Sequence, residues 1–361
     1  MSVVVPLSGP KLFIPFTETT GSFLTFSSAS FRRCESDHSP TPKRGRPGDG
    51  PPVSLDPQIA ELLPVLNAGF PRVETMTGPQ ARTAIRARLQ MPAEPEPVGG
   101  VAERTVAGPA GPIPVRIYWP ATASDAVLPV VVFANGGGFV FCDLDSHDGL
   151  CRAMANGLDA VVVSLDYRLA PEARWPAAAD DVYAATTWVA RNAAQLGADP
   201  GRLVIAGDSA GGNLAAVTAM MARDRGGPQI ACQALMYPVI AADFTTATYQ
   251  RFGDGFYNTA AAMAWYWDQY LPSVTDRTHR YASPIQGVRG GLPSAVVVTA
   301  GCDPLCSEGQ DYAKALVASG IAVTHRNYPG AIHGFLTMPT LRLAQRARQR
   351  LWADIAEFLT A

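Results

Sequence analysis

The sequence predicts an α/β fold in which a mostly parallel sheet is covered by helices on both faces, and three observations carry that reading. Apolar runs, broken only by Ser164 and Thr299, recur at 128–133, 160–165, 203–206 and 295–300. A strand buried between two helical layers has no polar face, so it reads as a near-continuous apolar run rather than an alternation. Segments of helical character separate these runs, at 176–194, 210–222 and 307–318. Finally, the 203–206 run ends in Gly207-Asp208-Ser209-Ala210-Gly211, a strand-to-helix turn that lifts a serine above the sheet. The glycines two residues either side of Ser209 remove Cβ atoms that would collide with neighbouring strand and helix.

The chain is long enough for one large domain with an appendage: 361 residues, 47% of them hydrophobic. Its 29 basic and 31 acidic residues leave a net charge of −2, no footprint for nucleic acid or an anionic membrane, so a small neutral substrate is expected. No apolar run approaches the ~20 residues that span a bilayer. The N-terminus also lacks a basic region followed by an apolar core, and a cytoplasmic location follows as the expectation. Cys34, Cys142, Cys151, Cys232, Cys302 and Cys306 show no Cys-x-x-Cys spacing that would hold zinc, and no cofactor is expected. A disulfide between Cys302 and Cys306 is not expected in a reducing compartment.

Taken in order, residues 1–52 are rich in Ser, Thr, Phe and Pro and read as a disordered tail, with the Lys43-Arg44-Gly45-Arg46 cluster solvated. Asp56-Pro57 opens a helix that carries Ile59, Leu62, Leu63 and Leu66 on one face, a capping residue followed by proline in the first turn. A second amphipathic helix runs over 79–89, where Ala81, Ile85 and Leu89 are in register, until Pro92, Pro95 and Pro97 end it. These helices, within 53–98, read as part of a cap. The core spans 99–239 and 291–361, and its first strand shows alternating Ile113, Val115 and Ile117. Residues 240–290 interrupt the rhythm with no clean strand but with Tyr249, Phe252, Phe256, Tyr257, Trp265, Tyr266, Trp267 and Tyr270. Good helix formers at 260–267 make this a helical cap insertion at the carboxyl end of the sheet, where such folds bind ligands.

A serine nucleophile needs a base, and the base needs an acid to hold its tautomer. Of the five histidines, His38 lies in the tail, His147 precedes the serine, His279 falls in the insertion and His325 inside a strand. His333 alone sits in a loop just past a strand, able to swing over the sheet edge. Asp303 follows the 295–300 strand directly, with Glu308 the weaker candidate. The order Ser209, Asp303, His333 is that of α/β-hydrolases. Asn135-Gly136-Gly137-Gly138-Phe139, after the 128–133 strand, is a glycine-rich loop whose backbone N–H groups can face a substrate carbonyl. A phosphate loop is excluded because no Lys-Ser/Thr follows.

With these motifs in hand, the chain from about residue 56 onward resembles the hormone-sensitive lipase family of α/β-hydrolases, in its bacterial Gly-Asp-Ser-Ala-Gly branch. The resemblance rests on 135–139, on Asp166-Tyr167-Arg168-Leu169-Ala170-Pro171-Glu172 with Trp175-Pro176-Ala177, on 207–212, on Asp303-Pro304-Leu305 and on His333-Gly334-Phe335. It implies a metal-free serine carboxylesterase for short to medium acyl chains, with a helical cap and with Arg168 and Glu172 bracing the active-site loops. The oxyanion donors it implies are the backbone N–H groups of Gly137, Gly138 and Ala210. Asn135 departs from the family, which normally has histidine there. Phe139, Asp208, Phe256 and Trp265 are the expected substrate contacts. An amidase or lactone hydrolase with the same triad, and a non-catalytic small-molecule receptor, are the competing functions. A homodimer is compatible with the sequence.

Overall fold

The computed structural model describes residues 54–90, 92, 94–122 and 126–360, and the tail expected over 1–52 lies outside them. Helix α1 (Pro57–Gly69) begins where the sequence predicts, with the Asp56 carboxylate accepting the Gln58 N–H at 3.0 Å. Such a cap contributes about 1 kcal/mol. The Asp56 N–H in turn donates to the Gly330 carbonyl at 3.0 Å, tying the helix start to the approach of His333. Helix α2 (Gly78–Arg86) opens with a reciprocal cap between Thr77 and Gln80 and ends short of the predicted Leu89. There the Arg88 and Leu89 N–H groups reach back only three residues, to Ile85 and Arg86, which tightens the chain out of the helix.

Strands β1 (Gly100–Gly108) and β2 (Gly111–Trp119) form an antiparallel hairpin. The chain then alternates through β3 (Leu128–Ala134), α3 (Asp148–Leu158), β4 (Val161–Leu165), α4 (Ala177–Asn192), β5 (Ala198–Asp208), α5 (Ala210–Arg225) and β6 (Cys232–Met236). After the insertion, with its short helices α6 (Ala247–Phe252) and α7 (Ala260–Tyr270), come β7 (Ser294–Cys302), α8 (Cys306–Ala318), β8 (Val323–Ile332) and α9 (Arg342–Leu359). The eight strands lie in the order β1-β2-β4-β3-β5-β6-β7-β8; β2 runs antiparallel to both neighbours, and every pairing from β4 to β8 is parallel. Strand β8 runs on to Ile332, directly before His333. A register shift between Ala300 and Cys302 lets it pair again at Ile332, and Gly301 permits this because a Cβ there would lie 2.5 Å from the Pro329 Cα.

The period-2 geometry of the strands divides the core in two. Val130, Val132, Leu203 and Ile205 pack on one face with α4, α5 and α8, while Val131, Phe133, Val204 and Ala206 pack on the other with α1, α3 and α9. That two-sided burial is what the apolar runs encode. Because the strands from β3 to β8 run parallel in pairs, their carboxyl ends share one edge, and β3, β5, β7 and β8 deliver Asn135, Ser209, Asp303 and His333 there. The insertion is fastened over this edge by the buried Asn213 of α5, whose amide donates to Val239 O at 3.0 Å and Ala282 O at 2.8 Å.

Candidate active site

Ser209 occupies the turn between β5 and α5 with φ 53° and ψ −118°, a left-handed conformation for a residue bearing a side chain. Neighbouring glycines make it feasible, since a Cβ at Gly207 would strike the Gly211 carbonyl and one at Gly211 the Ala134 carbonyl. The Ser209 N–H donates to Met236 O at 2.8 Å, and its carbonyl accepts the Val239 N–H at 3.1 Å, so both sides of the turn are held. Ser209 Oγ lies 2.9 Å from His333 Nε2, and His333 Nδ1 lies 2.7 Å from Asp303 Oδ2. Asp303 is fully buried, and its other oxygen accepts the Leu305 N–H at 3.0 Å. The Tyr237 ring meets the imidazole edge-on at 5.0 Å and limits its rotation. The structure thus brings the three residues singled out by the sequence into one hydrogen-bonded line.

Gly137 and Gly138 border the same slot, and Ala210 opens α5 directly after Ser209. The glycine loop takes φ 119° at Gly137 and 60° at Gly138, where a Cβ would strike the Phe141 carbonyl and the Tyr266 ring respectively. Asn135, standing where histidine was expected, is buried; its side-chain amide donates to Gly136 O at 2.9 Å and its backbone carbonyl accepts the Tyr167 hydroxyl at 2.8 Å. Of the two brace residues, Arg168 makes a two-pronged pair with Asp181, both contacts at 2.8 Å, and Glu172 pairs with Arg82 of α2.

The slot measures about 130 Å³ and is walled by Phe70, Phe141, Cys142, Tyr257 and Tyr266. Through Phe70, Cys142, Tyr257 and Thr337 it adjoins a larger cavity of about 640 Å³ that carries Arg82, Arg86, Arg88, Asp143 and Asp166. Desolvation pushes the Cys142 thiol up to about 12, so it stays protonated near neutral pH and is no rival nucleophile.

Of the four expected substrate contacts, Asp208 alone borders the slot. Phe139 is buried and stacks on Tyr270 with centroids 3.8 Å apart, because its positive φ of 64° turns the side chain into the core. Phe256 packs edge-on against Phe252 at 5.0 Å, and it is its neighbour Tyr257 that lines the slot. Trp265 lies beside the inward face of α7, where it packs on Tyr266; Tyr266 reaches the slot instead. Asp208 does border the slot, but its Oδ1 accepts the Gly136 N–H at 2.7 Å, which makes it a support of the loop. Tyr266 is among the insertion aromatics that the sequence offers for an acyl pocket, whereas it gives no sign of Phe70, Tyr257 and Thr337 as slot residues or of Asn213 as a cap fastener.

Glu308, the weaker acid candidate, faces away from the histidine: its Oε1 accepts the Ile240 N–H at 2.7 Å while Oε2 is buried without a partner. Burial, reinforced by the charges of Asp303 and Asp243, raises its carboxyl well above the ordinary 4.5. A group raised on folding favours the folded state below its unfolded value and loses that contribution as pH rises through its folded value. Replacing Glu308 by Gln should therefore shift relative melting temperature progressively in the variant's favour as pH rises above the ordinary 4.5. A gap between the two proteins that stays constant as pH rises would contradict this account.

A serine, histidine and carboxylate aligned above the carboxyl edge of a mostly parallel sheet define a serine hydrolase of the α/β type. A model of the alpha/beta hydrolase fold family matches residues 131–337. The chain is 43% identical to "Esterase LipI" of Mycobacterium tuberculosis over 76% of its own length and 87% of that protein. It is 42% identical to "Carboxylesterase NlhH" of the same organism, over 79% and 91%. Among solved structures, a hyperthermophilic esterase from the archaeon Pyrobaculum calidifontis superposes with a TM-score of 0.78 at 40% identity, covering 85% of this chain and 100% of that one. The chain belongs to the α/β-hydrolase fold family, in its hormone-sensitive lipase branch.

Proposed function

We propose that the protein is a serine carboxylesterase in which Ser209, His333 and Asp303 are the catalytic residues, and the observation that carries this is their hydrogen-bonded line. His333 Nε2 takes the proton of Ser209 Oγ as the oxygen attacks an ester carbonyl; Asp303 fixes the tautomer that leaves Nε2 free and stabilises the imidazolium that forms. Negative charge then develops on the carbonyl oxygen, facing the N–H groups of Gly137, Gly138 and Ala210 and the positive end of α5. A single donor of this kind is worth ~10²–10³ in rate. The tetrahedral species collapses as His333 protonates the leaving alcohol, and a water activated by the same histidine hydrolyses the acyl-enzyme. The esterase and carboxylesterase names of the relatives support this reading over a receptor, and they favour esters over amides. A cytoplasmic location belongs to the same reading, supported by the five cysteines among the described residues, which are all free. No helix among those residues is long and apolar enough to cross a membrane.

Labelling of Ser209 by a fluorophosphonate, followed by turnover of p-nitrophenyl esters beside the matching anilides, tests the proposal. Failure to label, or anilide turnover equal to that of the esters, would count against it. Acyl preference follows from the slot. Each methylene that enters it gains ~0.8 kcal/mol, about fourfold in kcat/KM, only while it is buried. With about 130 Å³ bounded by Phe141 and Tyr266, kcat/KM should rise from acetyl to butyryl or hexanoyl esters and then fall. Equal rates on dodecanoyl esters would show that the chain escapes into the larger cavity.

A further inference from the structure

A buried pair beside the glycine loop takes no part in the proton line from Asp303 to Ser209. His147, at the start of α3, places Nε2 3.2 Å from Asp208 Oδ1, and their side chains are only 7% and 6% exposed. The same Oδ1 accepts the Gly136 N–H at 2.7 Å. On its other side the ring is set by Ser146, whose hydroxyl lies 3.0 Å from Nδ1 and is itself fixed by the backbone of Asp143, donating to its carbonyl at 2.7 Å and accepting its N–H at 2.9 Å. Asp143 is in turn paired with Arg86 of α2. An unbroken series of contacts therefore runs from α2 to the first peptide of the loop that presents Gly137 and Gly138.

Within the loop the Gly137 carbonyl accepts the Val140 and Phe141 N–H groups at 3.0 Å, which closes the turn but leaves the Gly136 peptide to be held by side chains. Gly137 and Gly138 sit at positive φ, where glycine has no intrinsic preference for one well over its mirror image. The Gly136 peptide is held by Asn135, which donates to its carbonyl, and by Asp208, which accepts its N–H. A buried carboxylate with one backbone partner is poorly fixed, and an oppositely polarised group on the same oxygen locks its rotamer. We propose that His147 is a positioning residue for the esterase reaction, clamping the Asp208 carboxylate so that Asp208 aims the oxyanion N–H groups of Gly137 and Gly138. The proposal rests on the carboxylesterase reading above.

It is tested with His147→Phe, which keeps a ring but removes both nitrogens, and His147→Gln, which returns an N–H near the position of Nε2. With p-nitrophenyl butyrate, His147→Phe should lower kcat about tenfold or more while KM changes less than about twofold, because the donors act on the transition state. The inhibition constant of a trifluoromethyl ketone, whose hemiketal oxygen occupies the oxyanion position, should weaken by the same factor as kcat. His147→Gln should recover most of both losses. A His147→Phe enzyme with kcat within about threefold of the parent, one whose ketone affinity is unchanged, or a Gln variant no better than Phe overturns the proposal. Should His147→Phe not fold, Ser146→Ala removes the support of Nδ1 together with the two bonds to the Asp143 backbone and is expected to lower kcat about threefold at constant KM; an unchanged kcat overturns the proposal equally. If the parent itself turns over no ester, the carboxylesterase reading fails first, and the two failures are told apart by that control.

Discussion

Replacing Ser209 by Ala should abolish turnover, lowering kcat by about 10⁴-fold or more, while the protein stays folded and still binds substrate. The hydroxyl is the only atom lost. Its removal takes away the bond-forming oxygen and the acceptor of the His333 line, but it leaves the backbone bonds from Ser209 to Met236 and Val239 untouched. Alanine is tolerated at φ 53° about as well as serine, because the cost of that conformation lies in the shared Cβ. The cavity left by one oxygen at the rim of an open slot is filled by water. The residual rate should be that of oxyanion donors acting on a bound ester attacked by water, which is why the loss is finite. Steady-state kinetics with p-nitrophenyl butyrate and a melting curve check it: activity above a tenth of the parent would remove Ser209 from the mechanism.

How much of this was legible in the sequence follows from how local each signal is. The runs 128–133 and 203–206 announced a two-sided parallel sheet because burial on both faces leaves nothing polar along a strand, and the structure has both faces covered. The turn at Ser209 was legible because its steric demand falls on glycines two residues away. Strand β1 was not, since Val106 is its only buried residue and no alternation exists to read. In α7 the sequence does hold a further signal: Met263, Tyr266, Trp267 and Tyr270 are spaced as one helix face and, with Ala262, are the buried residues, which leaves Trp265 off that face. Nothing local chooses Tyr257 over Phe256, because the choice depends on a positive φ of 73° at a tyrosine. The duty of Asp208 could not be read at all, since its partner Gly136 is 72 residues away and meets it only when β3 and β5 pair. His147 is a parallel case: its place in the chain before the serine gives no hint of a role, yet the start of α3 brings it to the same carboxylate.

The acid of the line gives the second large effect. Asp303→Asn should lower kcat by about 10⁴-fold with little change in melting temperature, and the structure says why this near-isosteric change is so costly. Asp303 Oδ1 accepts the Leu305 N–H at 3.0 Å, while Oδ2 faces His333 Nδ1 at 2.7 Å. An asparagine at this position has one oxygen and one NH2 for these two places. The oxygen must stay at Leu305, because a buried backbone N–H without an acceptor costs ~1–3 kcal/mol and an NH2 facing it would add a clash of donors. The NH2 is then turned on His333, where it can only donate. Nδ1 becomes the acceptor, the imidazole proton moves to Nε2, and the nitrogen that should take the serine proton already holds one. The charge that would stabilise the imidazolium is gone as well. Since Leu305 fixes the unproductive amide orientation, Asp303→Ala, which lets water reach Nδ1 and leaves the tautomer free, should retain at least as much activity as Asp303→Asn. A comparison of the two variants on one ester decides this: Asn more active than Ala by tenfold would mean that the amide has flipped, and that the Leu305 bond does not govern the site.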